Sequence, residues 1–160
     1  MRSILFLAAL AATPAAAQDL QPFEFKGFVA GQDIPAEKLK SCGKGGTVTC
    51  YEPMTQISDV YVGYMLETDN YRMSSLFVDA SSGNFTPIFE AFRAKYGEPC
   101  EVVDTVWMNA AGAEIDNPNF IWCFSTGRLL VARYGAQINK MAILYTDDNQ
   151  PPPDDPVINF

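Results

Sequence analysis

Phe85-Thr-Pro-Ile-Phe-Glu-Ala-Phe-Arg-Ala-Lys-Tyr-Gly-Glu-Pro-Cys100 is the stretch whose start, stop and buried face can all be read directly. Thr86 offers a side-chain oxygen at an N-cap, and Pro87 suits a first helical position because its missing N–H has no partner to lose there. Gly97 permits a left-handed stop, Pro99 forbids continuation, and Arg93 and Lys95 sit where a helix dipole favours positive charge. The spacing predicts a helix from about Pro87 to Tyr96. Ile88, Phe89, Phe92 and Tyr96 form one stripe on it, with Glu90, Arg93 and Lys95 on the wet side. A stripe this apolar needs a sheet to lie on.

The flanking sequence supplies one. Phe23 to Lys26 alternates like a half-buried strand, and Asp33 to Lys40 reads as a short helix with Pro35 near its start. Thr47 to Tyr51 is a strand candidate ended by Pro53. Asp59 to Glu67 places Val60, Val62, Tyr64 and Leu66 on one face and Tyr61, Gly63 and Met65 on the other. Thr68-Asp69-Asn70 has turn chemistry, and Arg72 to Ala80 returns as a second strand. Beyond the helix, strands are expected at Glu101 to Asn109, Asn119 to Ser125, Leu129 to Tyr134 and Met141 to Thr146. Short links pair such strands antiparallel, so the expected class is α+β: an antiparallel sheet with one main helix across a face.

The 160-residue length fits a single domain with a real core. Met1-Arg-Ser, an apolar run from Ile4 to Ala12 and the small-residue ending Ala15-Ala-Ala17 have the form of a secretory signal peptide. Residues 1–17 are therefore expected to leave a mature chain that begins at Gln18. The domain is expected over 18–146. Residues 147–160, with three consecutive prolines among aspartates, form an acidic tail expected to stay extended and disordered. The leader implies a soluble protein exported to a bacterial periplasm or beyond, and its apolar run is too short to span a bilayer.

Removing Arg2 with the leader would take the formal charge from −8 to −9. That balance argues against nucleic acid or an anionic membrane as a partner. Four cysteines in an exported chain read as two disulfides, and the spacing favours Cys42 with Cys50 and Cys100 with Cys123. Neither pair is a C-x-x-C, which leaves thioredoxin-like chemistry without support.

The pattern of two strands, a helix ending in Lys95-Tyr96-Gly97-Glu98-Pro99, and later strands with Trp122 and Arg133-Tyr134 resembles that of small exported bacterial proteins of uncharacterised function. The resemblance covers roughly Val60 to Tyr145. It implies the same strand-strand-helix-strand fold and brings no catalytic residue with it.

The chain has no histidine. This removes Ser-His-Asp and Cys-His nucleophile systems, His acid/base catalysis and His-bearing zinc sites. With the cysteines paired, no cofactor or metal is expected. Paired carboxylates are the remaining enzymatic option, with Asp104 as the candidate and Glu101 as an awkward partner on the opposite side of its strand. Lys38, Lys40 and Lys44 flank a glycine loop whose amides could hold an anion. The N-terminal segment is the expected cover for the second sheet face. If that face stays open, it is a contact surface for a protein or an apolar ligand, with Tyr61, Met65, Trp107 and Trp122 as candidate binding residues. The expected function is thus a non-catalytic binding or interaction module of the cell envelope. The alternatives are a small carboxylate-dependent hydrolase and an inhibitor of an envelope or secreted enzyme, the latter acting through the loop between Cys42 and Cys50.

Overall fold

The computed structural model describes residues 20–38, 42 and 49–147. The helix α1 spans Phe85–Tyr96 and is preceded by a 3-10 turn, Ser82–Asn84. Its start differs from expectation. Ser81 Oγ accepts from the Gly83 N–H at 3.3 Å, so the chain is already coiling when it reaches Asn84, the N-cap, which makes no side-chain cap bond. Thr86 is therefore inside the first turn. Pro87 remains in that turn, where the N–H groups have no intrahelical acceptor. The helix stops at Gly97 as expected, but not in the left-handed helical conformation: Gly97 takes φ +82°, ψ −162°, a combination open essentially to glycine alone, and its N–H donates to Arg93 O.

Two small hairpins stand apart from the main sheet: β1 Glu24–Phe25 with β2 Phe28–Val29, and β7 Val106–Met108 with β8 Glu114–Asp116. The main-sheet strands are β3 Thr49–Ile57, β4 Val60–Asp69, β5 Arg72–Asp79, β6 Glu101–Val103, β9 Asn119–Phe124, β10 Gly127–Ala132 and β11 Ala142–Asp147. They pair antiparallel as seven strands in the order β3-β4-β5-β11-β10-β9-β6. Helix α1 carries the chain from β5, near the middle, to β6 at the far edge. The meander β9-β10-β11 then returns until β11 pairs with β5. Among the described residues strand dominates, so the α+β expectation holds in a mainly β form, with one α-helix on the sheet.

Several elements depart from the expected ones for local reasons. Strand β3 runs through Pro53 rather than ending there, because it is an edge strand and its register shifts between Glu52 and Thr55. Residues 36–38 form a turn closed by Lys38 N–H to Pro35 O, not a helix. The expected strand Glu101 to Asn109 breaks at Asp104-Thr105. Its two halves, β6 and β7, join different sheets. Asn109 Oδ1 accepts from Ala111 and Ala113 N–H, and this turn brings β8 back along β7 within a stretch expected to be loop. Asp147, expected to open the tail, is the last residue of β11, and the rest of the tail lies outside the described residues.

Both expected disulfides are present, Cys42–Cys50 and Cys100–Cys123. The core lies between one sheet face and the layer made by α1 and the β1–β2 hairpin. Ile88 and Phe92 of α1 are buried there, with Phe89 and Tyr96 half-buried beside them. Phe23 stacks on Tyr145 with ring centroids 4.2 Å apart and meets Phe124 edge-on at 5.1 Å. Phe25 and Phe28 pack edge-on against Tyr64. The N-terminal segment thus lies on the same face as the helix. This overturns the expectation that it covers the second face: the helix alone is too narrow for seven strands, and the hairpin fills the remainder of its layer. Gly127 is required by close approach, since a Cβ there would sit 2.1 Å from Thr146 O.

Candidate functional site: the open sheet face

Strand alternation decides what the second face carries. On β4, Val62, Tyr64, Leu66 and Thr68 are buried, while Tyr61 and Met65 point the other way and are 64% and 37% exposed. The register extends Met65 into a row across the sheet. Tyr51 faces Met65, which faces Phe77, and Leu144, Leu130 and Ile121 continue the row. Each of these six is apolar or aromatic. Tyr51 and Phe77 are 60% and 41% exposed, and the last three are half-buried. Five inter-strand gaps of about 4.8 Å make the row about 24 Å long.

A neighbouring row, Thr49-Glu67-Ser75-Thr146-Arg128-Cys123, is mostly polar. Its charges are engaged within the chain. Ser75 Oγ donates to Glu67 at 3.0 Å, and Arg128 lies 3.8 Å from Glu101. On the opposite flank, Lys140 pairs with Asp79 at 2.5 Å. The face is thus an apolar band between polar margins, on which Arg128 and Lys140 are ion-paired and Glu67 is hydrogen-bonded to Ser75. Its apolar row can be buried against another apolar surface while these polar groups stay at a solvated rim.

Of the expected binding residues, Tyr61 and Met65 share this face, Met65 within the apolar row and Tyr61 farther along β4, beyond the position where Gly63 pairs with Asp79. Trp122 does not: it is 2% exposed, faces Phe89 and Phe92, and donates Nε1–H to Gly97 O at 2.8 Å. It belongs to the core, where it satisfies a carbonyl at the helix end. Trp107 sits half-buried on the β7–β8 hairpin, off the main sheet, with Nε1 donating to Gly135 O at 3.0 Å. Tyr51 and Phe77 are members of the face that sequence reasoning misses. Phe77 joins it because the register shifts between Glu67 and Thr68, leaving Ser74 as an extra residue, so that Met73 and Leu76 both turn inward.

The other expected sites are dispersed. Asp104 is exposed in the link between β6 and β7, and Glu101 is exposed on the open face near Arg128. Lys38 is drawn to the β1–β2 turn, donating Nζ–H to Lys26 O at 2.5 Å with its ammonium 4.6 Å from the centre of the Phe28 ring. Lys40, Lys44 and the glycine loop lie outside the described residues.

Three groups with moved pKa values mark the covered side. Burial pushes the Tyr64 phenol up to about 12, with Glu52 adding to the rise. Burial and then Glu24 hold the Tyr96 phenol well above its ordinary range. At Glu24 burial works to raise the pKa. It is outweighed by the ion pair with Lys95, the Gly27 N–H and the nearby Lys38, so the carboxyl is lowered overall.

Fold and site together define a small, disulfide-linked, mainly β protein with one sheet face covered and the other bearing an apolar band. Among the described residues no helix is long and apolar enough to cross a membrane. The chain matches no family model, curated protein or solved structure against which it was compared.

Proposed function

We propose that this chain is a soluble exported, disulfide-stabilised binding module of the cell envelope that acts without catalysis and docks a protein through its open sheet face. The observation that carries this reading is the row Tyr51-Met65-Phe77-Leu144-Leu130-Ile121. Small-molecule sites are concave and bury most of their ligand. A band about 24 Å long on a sheet instead suits the apolar centre of a protein interface, for which polar margins are the usual rim. The signal-like leader and the two disulfides support export into an oxidising compartment.

The test is photo-crosslinking in cells that express the chain with its leader intact, with a photoreactive phenylalanine analogue placed at Tyr61 or Phe77. A discrete protein adduct is expected from both positions, reduced by Met65→Glu and missing when the analogue replaces Glu90 on the outer side of α1. Equal adducts from Glu90, or none from the sheet, would overturn the reading. Export is tested separately by cell fractionation and the mass of the mature N-terminus, expected at Gln18.

A further inference from the structure

A second candidate site lies on the opposite side of the molecule. The β1–β2 hairpin, the later half of α1 and the turn between β3 and β4 enclose a cleft of about 410 Å3. Its wall includes the buried side chains of Phe25, Ile57 and Phe92, with half-buried Ala91 beside them. Exposed Lys26 and Lys95 stand at its mouth. This size and composition, an apolar wall with a few convergent polar groups, are those of small-molecule sites.

The charge at the mouth is unusual for this chain. Lys95 pairs with Glu24, whereas Lys26 donates Nζ–H to the backbone oxygen of Gln56. A neutral carbonyl satisfies a hydrogen-bond donor without cancelling its charge. Two ammonium groups therefore line the mouth beside one carboxylate, a local positive excess on a chain whose formal charge is −8. A carboxylate arriving at Lys26 would exchange a neutral acceptor for a charged one, and charge-assisted hydrogen bonds are the stronger kind.

We propose that this cleft binds a small amphipathic carboxylate, its aliphatic or aromatic tail against Phe25, Ile57 and Phe92 and its head at Lys26 and Lys95. A cation of the same shape would meet like charge, and a neutral analogue would forgo the charge-assisted bonds. The site is separate from the open sheet face, so neither proposal depends on the other.

Calorimetric titration of the purified chain with octanoate, octanol and octylamine tests this. Octanoate should bind about tenfold or more tightly than octanol, and octylamine more weakly than either. The double variant Lys26→Gln, Lys95→Gln leaves Glu24 as the charge at the mouth and should bring octanoate down to the level of octanol or below it, while leaving octanol unchanged. Ala91→Phe, at a half-buried helix position facing the cleft, should remove binding of all three. Met65→Glu on the open face should change none of these affinities. Far-UV circular dichroism establishes that each variant retains its fold. Failure of octanoate to bind, octylamine binding as tightly, octanoate affinity unchanged in the lysine double variant, or its loss in Met65→Glu would overturn the assignment.

Discussion

One alternation of side chains gives the two faces of the sheet opposite fates. Tyr64 and Tyr61 both stand on β4. Tyr64 packs under Phe25 and Phe28, whereas Tyr61 is 64% exposed. The covered face is closed by helix and hairpin because both elements turn apolar side chains toward it. The open face is nearly as apolar along its central row, yet its neighbours are polar, with Arg128 and Lys140 held in ion pairs. Apolarity on the first face holds the fold together. On the second it is available for binding.

The largest expected separation between the faces is in stability. Trp122→Ala should cost about 3–5 kcal/mol, by loss of packing against Phe89 and Phe92 and of the bond to Gly97 O, as read by urea unfolding. A much smaller loss would mean that the helix layer is not the core. Replacing Cys100 and Cys123 by serine should cost about 3.4 kcal/mol from loop closure alone. The shorter Cys42–Cys50 loop should cost about 2.6 kcal/mol, so unfolding midpoints should rank in that order.

The dependence on pH should come from the covered side. Glu24 has a lowered native pKa, so its contribution is present above its ordinary value of 4.5 and is lost as pH falls from there through the native value. Glu24→Gln should flatten that acid limb. Tyr64 is raised from 10.0 to about 12, so its contribution is present below pH 10 and lost as pH climbs through that interval. Tyr96 acts in the same direction, and Tyr64→Phe should reduce the alkaline loss seen in unfolding curves. The smallest effect belongs to the open face: Phe77→Ser or Met65→Ser should change stability by less than about 1 kcal/mol. The crosslinks from Tyr61 should nevertheless weaken, which separates binding from folding.

The legible parts of the sequence are those governed by neighbours in the chain. Gly97 and Pro99 announce the helix stop, the alternation of Val60 to Leu66 assigns the faces of β4, and the cysteine spacing favours the observed pairs. Tyr61 and Met65 come from that alternation. Tyr51 and Phe77 do not, because their place depends on register across strands, and the extra residue Ser74 shifts that register without any glycine or proline to mark it. Trp122 is misassigned from sequence for a related reason. Strand β9 is apolar on both sides, with Ile121 and Cys123 between Phe120, Trp122 and Phe124, so alternation cannot say which set faces the helix. The position of the N-terminal hairpin is likewise outside local reach. Lys26 and Gly27, both at positive φ, make a tight turn, but the face it covers is decided by packing with Tyr64 and Tyr145.

Methionines provide a probe of equal chemistry on both faces, since Met65 is 37% exposed while Met73 and Met141 are 1% and 2% exposed. Hydroxyl-radical footprinting of the monomeric chain, read by mass spectrometry, should oxidise Met65, together with Tyr51, Tyr61 and Phe77, and spare Met73, Met141 and Trp122. Protection of Met65 and Phe77 equal to that of Met73 would contradict an open face.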